Sequence, residues 1–343
     1  MEASTPDPEH VASGGRGRRL RTAVTILLGC GLIAWLLSHA GLERVEELVR
    51  GLGWSAGLVV VPYAVIAFFD ARGWACTLSA ESRRKVSFLR MYLVRMAGEA
   101  VNSVTPTAAV GGEPVKALLL QRSGIPGSEA VASLVITKTA LTVTQALFVV
   151  VGLAGLFEYL ELHWAGVGLL ALLFALCIGF GVTLVRLQRR GPVMTLWRWL
   201  HRIMPRARFV ERLAKAAASI DERLLAFYDD SHGSFFRASA WHSCGWITGV
   251  WEIHLLMQLI GHPITWQQAL IIEALAQPIR ATAIVVPGAF GTQEVGGAAV
   301  CTFLGIPEAA GVTVWLLKRA REVVFDGVGL LFLLPQSVRG PGR

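Results

Sequence analysis

Residues 128–160 read SEAVASLVITKTALTVTQALFVVVGLAGLFEYL, and only Glu129, Lys138 and Glu158 in this run are charged. A helix needs about 20 mostly apolar residues to cross a hydrocarbon core about 30 Å thick, so the run is long enough to span a membrane. The whole chain is 54% hydrophobic and 16% charged, whereas soluble domains carry roughly 25% charged residues. The sequence therefore predicts an all-α, polytopic helical membrane protein.

Five further apolar runs bring the predicted number of full spans to about six. They cover residues 21–40, 54–77, 166–185, 235–260 and 307–334. Loops rich in Lys and Arg remain on the cytosolic side, and the net charge of +8 is spread over such loops rather than gathered on one face. We therefore expect a membrane domain over 21–335 in the cytoplasmic (inner) membrane, with a disordered basic tail (1–20) and a short tail (336–343) both in the cytosol. The same spread of charge excludes a nucleic-acid partner.

The segment 186–230 is the densest basic part of the chain, which predicts a cytosolic location. Apolar residues recur at three- and four-residue spacing from Phe209 to Phe227, with Arg and Lys on the opposite side. One such apolar stripe suits a helix that lies in the membrane interface. It suits equally well a helix packed on the cytosolic face of the bundle, and the sequence leaves both interpretations open.

Two segments, 88–116 and 264–304, are apolar but interrupted by charged residues, Pro and Gly. Irregular backbone at membrane depth is tolerated only where protein or a water-filled cavity surrounds it. We therefore predict two re-entrant hairpins, the first entering from the cytosolic side and the second from the opposite side.

The two broken segments share an internal repeat. Three pairs of positions are separated by the same distance along the chain: Pro106 and Pro287, Glu113 and Glu294, Lys138 and Arg319. Each copy therefore consists of a turn, a Gly-containing loop, a carboxylate, and then a helix with a cation inside its apolar run. Hairpins entering from opposite sides predict inverted-topology repeats, an arrangement in which transporters place broken helix ends near the membrane midplane.

Ionisable residues within the apolar context indicate a polar cavity. A charged side chain at the bilayer centre costs about 2.5–3.5 kcal/mol even on the lower scale. The embedded residues are Glu99, Glu113, Lys138, Glu252, Glu273, Arg280, Glu294, Lys318, Arg319, Arg321 and Glu322. Any single acid–base pair can instead serve only to fix helix register, but the whole set favours a cavity. No metal-ligand spacing is present in the sequence, so we expect neither a metal nor a cofactor.

Several motifs have the order found in one membrane family. They are Gly98-Glu99, Thr105-Pro106, Gly111-Gly112-Glu113-Pro114-Val115-Lys116 and Pro287-Gly288-Ala289-Phe290-Gly291-Thr292-Gln293-Glu294. Because it contains these motifs in this order, the chain resembles the lysylphosphatidylglycerol synthase transmembrane (flippase-like) family. The resemblance extends from the first predicted helix to the last. The run Leu317-Lys318-Arg319-Ala320-Arg321-Glu322 is similar to the branch associated with hopanoid biosynthesis loci. Thr107-Ala108-Ala109 departs from the glycines frequent in relatives, which leaves the conformation of that loop open.

The resemblance implies a membrane domain that translocates a charged lipid, while a separate soluble domain attaches the amino acid. The longest predicted cytosolic segment, 186–230, is too short for such a domain, so we expect no aminoacyl transfer. The motifs and the embedded charges together give the predicted substrate-binding and translocation residues. These are Glu99, Asn102, Thr105, Pro106, Gly112, Glu113, Lys116, Lys138, Arg280, Pro287, Gly288, Gly291, Gln293, Glu294, Lys318, Arg319, Arg321 and Glu322.

Three functions account for these features. The first is a lipid translocase or carrier for a polar or charged lipid, a hopanoid or a phospholipid. The second is a membrane-embedded lipid-modifying enzyme, but the chain has no D-x-D or phosphate-loop motif. The third is an accessory scaffold of a lipid-synthesis complex. A membrane lipid is the expected partner, and lipid-biosynthesis proteins or a second copy of the chain stay open as others.

Overall fold

The computed structural model describes residues 50–105, 111–203, 208–230, 232–282 and 292–338. Within these ranges the chain forms twelve α-helices and no strand, which confirms the all-α prediction. The helices are α1 (Ala56–Ala75), α2 (Ala80–Lys85), α3 (Phe88–Val104), α4 (Gly112–Gln121), α5 (Gly127–Tyr159), α6 (His163–Gln188), α7 (Pro192–Ile203), α8 (Arg208–Asp230), α9 (His232–Leu259), α10 (Trp266–Thr282), α11 (Thr292–Phe303) and α12 (Glu308–Val338).

Three helical stretches in the described ranges are long and apolar enough to cross a membrane: Arg50–Ala75, Gly127–Tyr159 and Gly166–Gln188. They coincide with three of the predicted spans. Much of α6 is exposed, including Leu172, Phe174 and Leu176, and an apolar surface of this size requires a partner such as lipid acyl chains. α9 and α12 occupy two further predicted spans, and it stays a prediction that they cross the membrane. The predicted span at 21–40 lies outside the described residues.

Each predicted broken segment forms two separate helices. α3 ends at Val104 and α4 begins at Gly112, while α10 ends at Thr282 and α11 begins at Thr292. The two helices of each pair pack against one another. Their entry into the membrane from opposite sides stays a prediction, and the connecting residues 106–110 and 283–291 lie outside the described ranges.

The helices repeat with the offset seen in the sequence. The shift that carries Pro106 onto Pro287 moves the starts of α3, α4 and α5 to positions 269, 293 and 308, and α10, α11 and α12 begin at Trp266, Thr292 and Glu308. The same shift places α1 inside the span of α9. We therefore divide the core into a first repeat (α1, α3, α4 and α5) and a second repeat (α9, α10, α11 and α12).

The two repeats pack on each other reciprocally. α1 packs against its counterpart α9, α3 packs against α12, and α10 packs against α5. Glycines lie where two of these pairs cross: Gly329 faces the backbone of Met96, and Gly152 faces Ala274. Small residues let membrane helices approach closely, and reciprocal contacts are those expected of two halves related by a pseudo-two-fold axis.

The basic segment 186–230 contains two helices, α7 and α8. Leu224 and Tyr228 of α8 are buried against Ile136 of α5, so the apolar stripe of α8 faces the bundle. Of the two interpretations that the sequence left open, this contact favours a helix packed on the bundle over a helix in the membrane interface. Burial raises the pKa of Tyr228, whose hydroxyl donates a 2.6 Å hydrogen bond to Gln188. α7 was not predicted from the sequence, and its first backbone N–H groups are capped by Asp221 of α8.

Candidate functional site

A cavity of about 490 Å³ lies between the two repeats. Side chains from all eight core helices line it, so neither repeat alone encloses it. Its wall combines apolar and aromatic side chains, such as Ile66, Leu141 and Trp246, with many ionisable ones. The volume falls in the range of about 300–1,000 Å³ that is usual for small-molecule sites.

The first repeat contributes a lysine held between two carboxylates. Lys116 of α4 is 6% exposed, and its Nζ donates to Glu99 of α3 at 2.6 Å and to Glu113 at 3.0 Å. The backbone N–H of Gly112 donates to Asn102 Oδ1 at 2.7 Å, which fixes the start of α4 against α3. With all three groups ionised, this triad carries one excess negative charge.

The second repeat contains a similar but more deeply buried group. Lys318 Nζ lies 2.6 Å from Glu273 Oε2 and 3.3 Å from Glu252 Oε2. Arg321 Nε lies 2.5 Å from Glu252 Oε1. Glu252 is fully buried, so its charge depends on these two cations. We call these four residues the inner cluster.

A second set of ion pairs connects α10, α11 and α12. Arg319 lies 2.8 Å from Glu294 and 2.7 Å from Glu322. Arg280 lies 3.3 Å from Glu322 and is half exposed. Glu294 thus pairs with Arg319, the cation of its own copy of the repeat, whereas Glu113 pairs with Lys116 rather than with Lys138.

α1 connects the charged groups of the two repeats. Asp70 lies 2.5 Å from Arg95 of α3 and 2.9 Å from His242 of α9. The Tyr63 ring has the Arg321 guanidinium 4.0 Å from its centroid and the Arg95 guanidinium 5.9 Å away. Cations over an aromatic face are attracted to it, so Tyr63 lies between arginines from opposite halves.

Lys138, Arg280 and Asp326 line the cavity and are incompletely paired within the described residues. Lys138 is exposed and forms no ion pair within 4 Å there. Arg280 forms one ion pair, through one nitrogen. Asp326 is 5% exposed, lies beside Ser103, and has no cation within 4 Å among those residues. These three groups therefore have capacity to bind a ligand.

Glycines bring α3 and α4 into close contact. A Cβ on Gly112 would overlap the backbone carbonyl of Gly98, and a Cβ on Gly98 would overlap the side chain of Lys116. The G-G-E-P-x-K motif therefore serves a packing role as well as supplying charges, because its second glycine lets α4 reach the position where Lys116 meets Glu99.

The structure brings most of the sequence-predicted site residues together. Ten line the cavity: Glu99, Asn102, Thr105, Glu113, Lys116, Lys138, Arg280, Gln293, Arg321 and Glu322. Four others are placed in the wall behind the lining or at the α3–α4 contact: Gly112, Glu294, Lys318 and Arg319. The remaining four, Pro106, Pro287, Gly288 and Gly291, lie outside the described residues.

Sequence reasoning missed several residues of the site. Asp70, Arg95 and Asp326 line the cavity, as do Tyr63 and His242. Asp70 is the single acid inside the predicted span 54–77, and Asp326 is an acid inside the predicted span 307–334. An acid inside an apolar span is a signal that could have identified both. Tyr63 carries no charge and its role arises only from three-dimensional contacts, so no pattern in the sequence indicated it.

Comparison with known proteins agrees with this architecture. The family model described as lysylphosphatidylglycerol synthase TM region matches residues 22–328. A UPF0104 membrane protein of Pyrococcus horikoshii is 24% identical over 318 residues, which is 88% of this chain and 92% of that protein. A UPF0104 membrane protein of Methanothermobacter thermautotrophicus is 27% identical over 181 residues, 51% of this chain and 53% of that protein. No solved structure matches the chain.

The match extends over both repeats and includes the G-G-E-P-x-K and P-G-x-x-G-x-x-E motifs. Together with the apolar helices, it establishes a membrane-embedded protein. The chain belongs to the lysylphosphatidylglycerol synthase transmembrane region family.

Proposed function

We propose that this protein is a lipid translocase of the cytoplasmic membrane, in which a polar or charged headgroup occupies the cavity while the acyl chains remain in the bilayer. The proposal rests on one observation, a charged cavity of about 490 Å³ that two structural repeats form jointly. The proposed substrate class is a hopanoid with a polar headgroup or a phospholipid. In this proposal both termini lie in the cytosol.

The distribution of charge supports a transported ligand. Ion pairs that only fix helix register need no cavity beside them, and burying them is often no better than apolar packing. Here the ion pairs surround open space, and Lys138 and Arg280 remain accessible. The reciprocal contacts of α3 with α12 and of α5 with α10 provide the surfaces on which one repeat would rock against the other during alternating access.

Reconstitution into liposomes tests this function directly. Purified full-length protein is inserted into vesicles that carry a panel of lipids labelled in one leaflet, and movement to the other leaflet is followed over time. We expect protein-dependent movement of at least one polar lipid. Chemical conversion of a lipid without transbilayer movement would favour the enzyme alternative, and neither signal would favour a scaffold.

Neutralising Glu113 should slow translocation by at least about tenfold, the effect expected from removing one charged hydrogen bond. Lys116 retains its 2.6 Å contact with Glu99, so Glu113→Gln changes the charge of the cavity without leaving a buried cation unpaired. Glu294→Gln should have a smaller effect because Glu294 lies behind the lining, where Arg319 also contacts Glu322. The measurement is the rate of lipid movement in the same vesicles.

Glu222→Gln is the matched control, because Glu222 is an exposed residue of α8 outside the cavity. Its rate should equal that of the unaltered protein. A Glu113→Gln variant that moves lipid as fast as this control would contradict the assignment of the cavity as the translocation site.

A further inference from the structure

We infer that α7 lies in the membrane interface and binds the surface of an anionic leaflet, at the C-terminal end of the α6 span. Leu196, Trp199 and Ile203 enter the boundary between headgroups and acyl chains, and Arg198 and Arg202 contact lipid phosphates. The inference does not depend on lipid movement through the cavity. It adds an interaction surface outside both repeats and names the partner of that surface.

α7 begins directly after a helix that is long and apolar enough to span the membrane. The apolar stretch Gly166–Gln188 ends only three residues before Pro192, where α7 starts. Consecutive Cα atoms are 3.8 Å apart, so the start of α7 lies within about 15 Å of the end of that stretch. Leu187, in the last turn of α6, is more than half exposed. The apolar outer surface of α6 therefore continues to the end at which α7 begins.

Contacts with α8 hold α7 at this position. The carboxylate of Asp221 accepts hydrogen bonds from the backbone N–H groups of Val193 at 3.1 Å and of Met194 at 2.8 Å. Val193 also packs against the cluster that contains Leu224 and Tyr228. α7 is thus fixed to a helix that is itself buried against the bundle.

One edge of α7 is apolar and exposed. Each residue turns the helix by about 100°, so spacings of three and four residues place Leu196, Trp199 and Ile203 along the same edge. All three side chains are more than half exposed within the described ranges. Val193 packs toward α8 from about a quarter of a turn away, so α8 does not cover this edge. Trp with aliphatic side chains on one face is typical of helices that lie in the membrane interface.

The flank away from α8 is basic. Arg198 and Arg202 are one turn apart and both exposed, about 160° around the helix from Val193. Arg198 donates only weakly within its own helix, to the Met194 carbonyl at 3.4 Å and to Thr195 Oγ1 at 3.3 Å. Both of these acceptors are uncharged. With the apolar edge turned to the acyl chains, this flank lies at the headgroups, where long cationic side chains reach phosphates.

A membrane surface fits this helix better than a protein partner does. The exposed edge is a single row of three apolar side chains, whereas each side of a stable protein interface contributes roughly 20–30 residues. The bilayer that surrounds α6 is already adjacent to the start of α7. An apolar row flanked by arginines matches the boundary between acyl chains and anionic headgroups in both hydrophobicity and charge.

Photo-crosslinking identifies what contacts each side of α7. Full-length protein carries benzoylphenylalanine in place of one residue at a time, in nanodiscs of equal parts phosphatidylcholine and phosphatidylglycerol, and mass spectrometry identifies each adduct. Trp199 and Ile203 test the apolar edge. Met194 and His201 are matched controls, because they lie about 160° away from Leu196 and Ile203. We expect at least about tenfold more lipid adducts at the edge than at the controls.

The arginines should make these adducts selective for the anionic lipid. With the probe at Ile203, phosphatidylglycerol adducts should exceed phosphatidylcholine adducts by about fivefold, the effect of roughly one basic side chain at the surface. The double variant Arg198→Gln/Arg202→Gln should bring the two adducts to equal amounts, and higher ionic strength should lower the enrichment. Lys215→Gln/Arg223→Gln, which alters two exposed cations of α8, should leave the enrichment unchanged.

Thermal unfolding and gel filtration verify that each variant is folded, and Trp199 and Ile203 decide independently if one variant fails to fold. Adducts at these two positions chiefly with peptides, from residues 1–49 or from a second copy of the chain, would overturn the inference and identify the true occupant. Equal lipid adducts at His201 and Ile203 would also overturn it. So would a phosphatidylglycerol enrichment that is absent or that survives the double arginine variant.

Discussion

Glu252→Gln should lower the free energy of unfolding by about 3–5 kcal/mol, the effect of removing one partner from a buried ion pair. Glu252 is fully buried and contacts Arg321 at 2.5 Å and Lys318 at 3.3 Å. Lys318 would keep Glu273, but the nearest carboxylate left to Arg321 among the described residues is Glu322, at 4.0 Å. Arg321 would therefore remain buried without a close anion. Equilibrium unfolding in mixed micelles with increasing denaturing detergent measures the loss.

Glu222→Gln makes the same chemical change on an exposed surface and should alter stability by less than about 0.5 kcal/mol. The double variant Glu252→Gln/Arg321→Gln should recover part of the lost stability, because it removes the uncompensated charge together with its partner. If Glu252→Gln unfolds together with the Glu222→Gln control, the inner cluster does not stabilise the bundle as described.

Gly112→Ala should destabilise the protein by at least about 1–3 kcal/mol, the typical cost of overpacking, and should also impair lipid movement. The new Cβ would overlap the carbonyl of Gly98, which is backbone and cannot rotate away, so α4 must shift relative to α3. The shift would also disturb the contact of Lys116 with Glu99 on which the lining depends. Thermal unfolding and the vesicle assay measure the two effects.

Gly179→Ala provides the comparison, because a Cβ at Gly179 in α6 meets nothing within 4 Å. Replacing a helical glycine by alanine at such an open position should be neutral or stabilising by up to about 1 kcal/mol. Equal unfolding temperatures for the two variants would show that the approach of α3 and α4 tolerates a methyl group, contrary to the geometry described.

The two repeats use similar chemistry at positions that are not equivalent in sequence. Lys116 is held between Glu99 and Glu113, and Lys318 between Glu273 and Glu252, yet the repeat offset carries Lys116 onto Gly297. Gly297 is also a site of close contact, because a Cβ there would overlap Trp315. The two repeats therefore have equivalent helices, but their charged residues lie at different positions along those helices.

The sequence by itself determined the helical membrane class, because runs of about 20 apolar residues have few other stable environments. It also located the helix breaks, since Pro, Gly and clustered polar residues interrupt an apolar helix wherever they occur. The repeat offset predicted from Pro106, Glu113 and Lys138 matched the spacing of helices across both halves. Seven of the ten predicted site residues that line the cavity are charged, and they lie there because a charge within an apolar run must face a polar interior.

Only the tertiary structure decided which charges meet. Asp70 pairs with Arg95 and His242, and Tyr63 lies between two arginines, through contacts between helices that are far apart in the chain. Such pairing depends on crossing angles and on glycines such as Gly112, Gly152 and Gly329 that set how closely the helices approach. The spacing of residues along the chain gives neither the crossing angles nor the closeness of approach, because distances across a helix interface are fixed by the packing of both helices.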